Sequence, residues 1–266
     1  MAAGEYPTLV ERIQTDQLIT EIYNNRKELG VAAARAMAEQ MKVLLARQER
    51  VRIVFASAPS QNEFLAKLGS IPGLDWRRVT AFHMDEYVGL SPEAPQSFSR
   101  FLVESLFNRV KPGAFHPLNG LAADPEAECL RYTALLQESP VDIVCAGIGE
   151  NGHLAFNDPP VADFEDPKRV KVVDLTMRSR EQQVHDGCFP TLDTVPKQAL
   201  TLTVPALMMA GAVYCMVPGP TKAEAVRDTL LGPVSTACPA TAMRRHSAAH
   251  LYVDRDSAAL FLAARG

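Results

Sequence analysis

Two hydrophobic spacings alternate along this chain. Residues 30–50 place Val31, Ala34, Met37, Met41, Leu44 and Leu45 at helical intervals and end in charge. Residues 51–55 follow as a short β-branched run with almost no polar interruption. Such a run suits a parallel strand buried on both faces. The alternation then repeats. Helical spacing predicts helices over 60–68, with Ser60 as N-cap, and over 98–110, 125–137, 221–230 and 257–264. Apolar runs predict strands over 79–84, 141–146, 170–175, 199–204, 212–217 and 251–253.

Strands alternating with helices predict an α/β fold. It is a doubly wound, mostly parallel sheet with helices on both faces, a Rossmann-like three-layer arrangement. No Gly/Ser-rich or charged linker divides the 266 residues, so one domain over 1–266 is expected. Ligands of such folds bind outside the carboxyl ends of the strands. Four segments follow predicted strand ends: 57–61, 83–87, 147–158 and 219–222. The fold argument brings all four to one edge of the sheet.

Composition narrows the function. A net charge of -4 gives no reason to expect a nucleic-acid partner. No apolar run approaches the roughly 20 residues that span a bilayer, so no membrane partner is expected. Cys129, Cys145, Cys188, Cys215 and Cys238 are odd in number and lack CxxC spacing. Free thiols and a reducing, cytoplasmic setting follow. His246 and His250 have i, i+4 spacing without an evident third ligand, so no metal site is expected.

The chemistry gathers in the four segments. Gly147-Ile148-Gly149-Glu150-Asn151-Gly152 matches GxGxxG after a strand. The dinucleotide fingerprint needs a helix to open at the third glycine. Here His153 to Pro160 follow, and two prolines disfavour a helix. Gly147 and Gly149 instead suit close backbone approach to a small ligand. His153 lies just beyond them, and Asp158 could orient its ring. A lone histidine more often ties down a loop, but in a Gly-rich loop with a carboxylate nearby the catalytic reading goes ahead. Asp85 follows a strand, where a turn or cap aspartate is the ordinary reading. Glu86 is its neighbour, and only one of the two should face the site. Lys222 stands in a first helical turn, against the helix dipole, which suits a bound anion. Ser57 and Ser60 could supply hydroxyls to that anion.

Longer stretches carry a resemblance. Phe82-His83-Met84-Asp85-Glu86-Tyr87-Val88-Gly89-Leu90 resembles the MDEYVGL signature of glucosamine-6-phosphate deaminases. Residues 147–159 resemble their GxGxxGHxAFNEP loop, and Gly219-Pro220-Thr221-Lys222-Ala223 their GxxKA segment. The similarity runs from about residue 51 to 230. It implies an enzyme with no required cofactor that converts an amino-sugar phosphate into fructose 6-phosphate and ammonia. It also implies that Asp85 abstracts the C2 proton, and that His153 opens the ring, oriented by Asn151 and Asp158. Ser57, Ala58, Ser60, Gln61 and Lys222, with the Gly147 and Gly149 backbone, would hold the substrate. The implied partner is a small sugar phosphate; oligomeric state stays open.

The chain departs from the pattern at several positions. Asn151 stands for Asp, Asp158 for Glu, and Ser57-Ala58-Pro59-Ser60-Gln61 for a TGSTP-like loop. A family arginine falls near Gln182 or Gln183, with Arg178 and Arg180 only as neighbours. Two alternatives are a 6-phosphogluconolactonase-type hydrolase and a sugar-phosphate-binding regulator without turnover. The Ala155-Phe156-Asn157 sequence disfavours the first, and the joint presence of Asp85 and His153 disfavours the second.

Overall fold

A computed structural model describes residues 7–265. The strands are β1 (Leu9–Thr15), β2 (Leu18–Tyr23), β3 (Val51–Phe55), β4 (Val79–His83), β5 (Asp85–Tyr87), β6 (Ala114–His116), β7 (Ile143–Ala146), β8 (Val170–Asp174), β9 (Gln198–Leu202), β10 (Ala212–Val217) and β11 (Ala249–Asp254). The helices are α1 (Arg26–Leu45), α2 (Asn62–Leu68), α3 (Phe98–Leu102), α4 (Asn108–Val110), α5 (Pro125–Gln137), α6 (Met177–His185), α7 (Val204–Met208), α8 (Ala223–Leu231) and α9 (Ala259–Ala263). A π-helical turn, Val103–Phe107, joins α3 to α4. No helix among the described residues is long and apolar enough to cross a membrane.

Eight strands form one sheet in the order β1-β2-β11-β10-β7-β3-β4-β6. All its pairings are parallel except β1 with β2. Side chains of the central strands alternate between two cores, because successive residues of a strand face opposite sides. Val51, Ile53 and Phe55 of β3 join Leu29 and Met37 of α1, Phe64 of α2 and Leu102 of α3. Val54 of β3 joins Cys129 and Tyr132 of α5 and Val226 of α8 on the other face. The same split divides Tyr214 and Met216 from Val213 and Cys215. The double-sided apolar runs therefore yield the expected three layers.

The structure corrects several expectations. The strands expected over 170–175 and 199–204 exist, but they lie outside the main sheet. As β8 and β9 they join β5 in an antiparallel sheet ordered β5-β9-β8. An aromatic cluster packs Tyr87 against Phe98, Phe156 and Phe189, with centroids 4.8, 5.6 and 5.3 Å apart. The β1–β2 hairpin and β6 were not expected, and α1 begins at Arg26 rather than near 30. Its start is set by Asn25, whose side chain accepts the Glu28 N–H at 3.0 Å. Ser60 does not cap α2: Pro59–Gln61 is a 3-10 turn without a side-chain cap.

The chain connects β3 to β4 on one side and β7 to β10 on the other. Between β3 and β7 the winding reverses, and the carboxyl ends of β4, β3, β7 and β10 surround that point. A crevice opens there in folds of this kind.

Candidate active site

A cavity of about 250 Å³ occupies this crevice, at the small end of ligand pockets. Its walls include Ser57, Ala58, Ser60 and Gln61 after β3, and Asp85 of β5. Gly147, Gly149 and His153 follow β7, and Lys222 follows β10. The four segments do converge. Asn151 and Asp158 do not line the cavity; they lie behind His153.

Asp85 and Glu86 separate as neighbours on a strand must. Glu86 is buried and anchors the start of α3. It accepts the Ser97 hydroxyl at 2.9 Å and the Phe98 and Ser99 N–H groups at 3.2 and 3.1 Å. Asp85 lines the cavity, only 8% exposed. Among the described residues its carboxylate has no hydrogen-bond or ion-pair partner. Burial, reinforced by the Glu86 charge, pushes Asp85 well above the usual carboxylate range.

His153 is held from behind. Its Nδ1 lies 2.7 Å from Asn151 Oδ1, while Asn151 Nδ2 donates to Asp158 Oδ1 at 2.6 Å. Asp158 Oδ1 itself is 3.4 Å from Nδ1. This geometry gives the Asn151 and Asp158 departures a shared physical reading. An amide can accept from an imidazole and donate to a carboxylate at once, so Asn151 spans the gap that the shorter Asp158 leaves. With Nδ1–H donating to Asn151, the neutral ring carries its free lone pair on Nε2. Ser179 donates to Asp158 Oδ1 and Oδ2 at 2.8 and 2.7 Å. Burial would raise the Asp158 carboxyl, but His153, Asn151 and Ser179 together pull it down to about 2. It therefore stays ionised beside the histidine.

Gly149 has a use beyond close approach to a ligand. A Cβ on Gly149 would lie 2.1 Å from the His153 ring atoms Cε1 and Nε2. Gly149 makes room for the imidazole as well as any ligand. Gly152 has φ +83° and is followed by a turn, not a helix. The dinucleotide geometry is absent from this loop. Gly149→Ala should displace the ring and lower turnover by about 10²-fold, the scale of an ångström misplacement. Thermal unfolding should still show a folded protein. Turnover within a factor of two of wild type would refute this role for Gly149.

Among the described residues, Ser57 Oγ is buried without a hydrogen-bond partner. Gln61 is less available: its amide nitrogen lies 3.0 Å from Ser60 Oγ and 3.4 Å from the Ala146 and Met216 carbonyls. It ties the 57–61 loop to the ends of β7 and β10. Lys222 closes the 3-10 turn Pro220–Lys222 and is only 6% exposed. Burial lowers its pKa, while Asp186 and Glu150 act to hold the charge. Gly219, at φ +93°, donates its N–H to Asp254 and sets this turn.

Gln182 and Gln183 both line the cavity, but each has an internal task. Gln182 accepts the Glu150 N–H at 2.9 Å, and Gln183 accepts the Tyr87 hydroxyl at 2.7 Å. Arg180 donates to the Leu192 and Val195 carbonyls, and Arg178 lies 3.8 Å from Glu224. Neither lines the cavity. His83 is structural: it accepts the Leu118 N–H at 2.7 Å, and burial holds its pKa near about 3. Sequence reasoning missed Arg26, Asp186, Phe98 and Phe156 in the cavity wall. For Arg26 a signal existed, since it too is a cation in a first helical turn.

The sequence profile of glucosamine-6-phosphate isomerases/6-phosphogluconolactonase matches residues 24–252. A glucosamine-6-phosphate deaminase of Exiguobacterium sibiricum is 38% identical over 187 residues, 70% of this chain and 72% of that one. One of Bacillus cytotoxicus is also 38% identical, over 70% of each chain. The structure of a monomeric glucosamine-6-phosphate deaminase superposes with a TM-score of 0.83 at 31% identity, covering 92% of this chain and 99% of that one. The 6-phosphogluconolactonase of Thermotoga maritima, at 20% identity and TM-score 0.71 over 89% and 99% of the two chains, shares the fold. With 229 consecutive positions under one profile and relatives above 30% identity over more than two thirds of its length, the chain belongs to the glucosamine-6-phosphate isomerase/6-phosphogluconolactonase family.

Proposed function

We propose that this chain is a glucosamine-6-phosphate deaminase, converting glucosamine 6-phosphate and water into fructose 6-phosphate and ammonia. One observation carries the reading: a desolvated Asp85 carboxylate, without a partner among the described residues, shares a small cavity with a histidine whose tautomer is fixed from behind. Removing a proton from carbon next to a carbonyl-type centre needs a placed strong base and a second acid/base. The deaminase relatives support the same choice over lactone hydrolysis.

In the proposed sequence, His153 Nε2 accepts the anomeric hydroxyl proton of the cyclic sugar and returns a proton to the ring oxygen, opening the ring. Asp85 then takes the C2 proton. The resulting enolamine receives a proton at C1 and becomes an imine at C2. Water adds there, ammonia departs, and the ketone of fructose 6-phosphate remains. Ser57, the 58–61 loop and Lys222 hold the phosphate at the far end. The profile match, continuous over 24–252, supports one sugar-phosphate domain. The free thiols support a reducing cytoplasmic setting.

The test compares ammonia release from a panel of hexosamine 6-phosphates with hydrolysis of 6-phosphogluconolactone. Ammonia from glucosamine 6-phosphate is expected; preferential lactone hydrolysis would overturn the proposal. Lys222→Ala should raise KM more than it lowers kcat, because a phosphate remote from the reacting carbons contributes mostly uniform binding. A lost charge-assisted contact of about 1.5–3 kcal/mol corresponds to roughly 10- to 150-fold in KM. An unchanged KM would remove Lys222 from the phosphate site.

A further inference from the structure

The cavity holds an imbalance of charge. A phosphate monoester carries about -1.5 to -2 at neutral pH. Lys222 offers one positive charge, already under the influence of Asp186 and Glu150. Among the described residues, the other cation lining the cavity is Arg26, in the first turn of α1. Arg26 Nε donates to Glu63 Oε1 at 2.6 Å, and Nη2 to Glu63 Oε2 and the Pro59 carbonyl at 3.0 Å each. These bonds hold the planar fork against the 57–61 loop. Among the described residues, Nη1 has no hydrogen-bond partner.

The placement is built into the helix packing. Arg26 and Gly30 are four residues apart and share a face of α1. A Cβ on Gly30 would lie 2.7 Å from Glu63 Cβ and 2.8 Å from the Phe64 nitrogen. The bare glycine lets α1 close on α2, which carries Glu63 to Arg26. Arginine presents several donors in a rigid plane, so Glu63 can occupy one edge while another stays available to an anion.

We propose that Arg26 is the second cation of the phosphate pocket, a specificity-determining residue that Glu63 and the Pro59 carbonyl aim at the substrate's phosphate. The inference rests on the sugar-phosphate reading above. It gives this chain a route to phosphate selectivity although Gln182 and Gln183 supply no charge to the cavity wall.

The test uses Arg26→Ala and Arg26→Lys in the full chain, with thermal unfolding to verify folding. KM and kcat are measured for glucosamine 6-phosphate, and inorganic phosphate binding is measured by calorimetry. Arg26→Ala should raise KM roughly tenfold or more and weaken inorganic phosphate by a similar factor, with kcat within about threefold. Arg26→Lys keeps the charge but loses the fork. It should weaken phosphate severalfold, and it carries the test alone if the alanine variant does not fold. Unchanged phosphate affinity in the folded variants, or a fall in kcat at constant KM, would reduce Arg26 to a clamp on the 57–61 loop. If the wild type released no ammonia while Arg26→Ala still weakened phosphate, the deaminase reading would fail and the Arg26 assignment would stand.

Discussion

Asp85→Asn should abolish exchange at C2 while making the folded protein more stable at neutral pH. The isostere keeps the shape of the cavity and removes its only proposed carbon base, so turnover should fall by at least the 10²–10⁴-fold typical of a placed acid/base. The stability gain follows from burial. Asp85 is held well above the usual carboxylate range by desolvation and the Glu86 charge. Its folded-state pKa is raised, so it carries no penalty below its unfolded pKa of about 3.9. The penalty grows as pH rises from there toward the folded value and is complete above it. Asparagine never ionises. The variant's thermal midpoint should therefore exceed wild type near pH 7, and the difference should vanish below about pH 3.9. For the wild type the same sign makes kcat rise with pH as Asp85 ionises. Wild-type exchange in Asp85→Asn would exclude Asp85 as the base. A lower midpoint at neutral pH would contradict the account of its burial.

His153→Gln should discriminate between two forms of one substrate. Cyclic hexosamine phosphates must open before the C2 proton becomes acidic, so the ring-opening group controls entry to the chemistry. Loss of His153 should slow turnover of a cyclic substrate by about 10²–10⁴-fold and spare a substrate locked open. Asp158→Asn should show the same selectivity more weakly. It leaves the Asn151 contact to Nδ1 in place and removes the charge behind it. Equal losses on both substrates would assign His153 to proton transfer or to loop integrity.

Much of this was legible in the chain, and the rest has identifiable physical reasons for being hidden. The central strands show as apolar runs because β3, β7 and β10 bury both faces. The order of the resulting β-α units was enough to bring the four segments to one crevice. The small β5-β9-β8 sheet was not legible, because an apolar run states burial and not its partner. The β1–β2 hairpin was missed since no residue of β1 is fully buried and the strand reads as polar. At the site, the convergence of the four segments and the family resemblance, more than residue identity, singled out Asp85, His153 and Lys222, and all three line the cavity. Residue identity could not announce that Gly149 clears space for an imidazole, or that Asn151 bridges His153 to Asp158. Those roles exist only once a turn has brought the atoms together. For Arg26 the charge was visible but its placement was not: its partner Glu63 is 37 residues away and meets it only across the α1–α2 packing.

The central claim is most directly tested by following glucosamine 6-phosphate with the wild-type enzyme in D2O by NMR. Ammonium and fructose 6-phosphate should rise in equal amounts, at a rate that drops by orders of magnitude with Asp85→Asn. Unchanged glucosamine 6-phosphate, or sugar conversion without ammonium, would contradict the account.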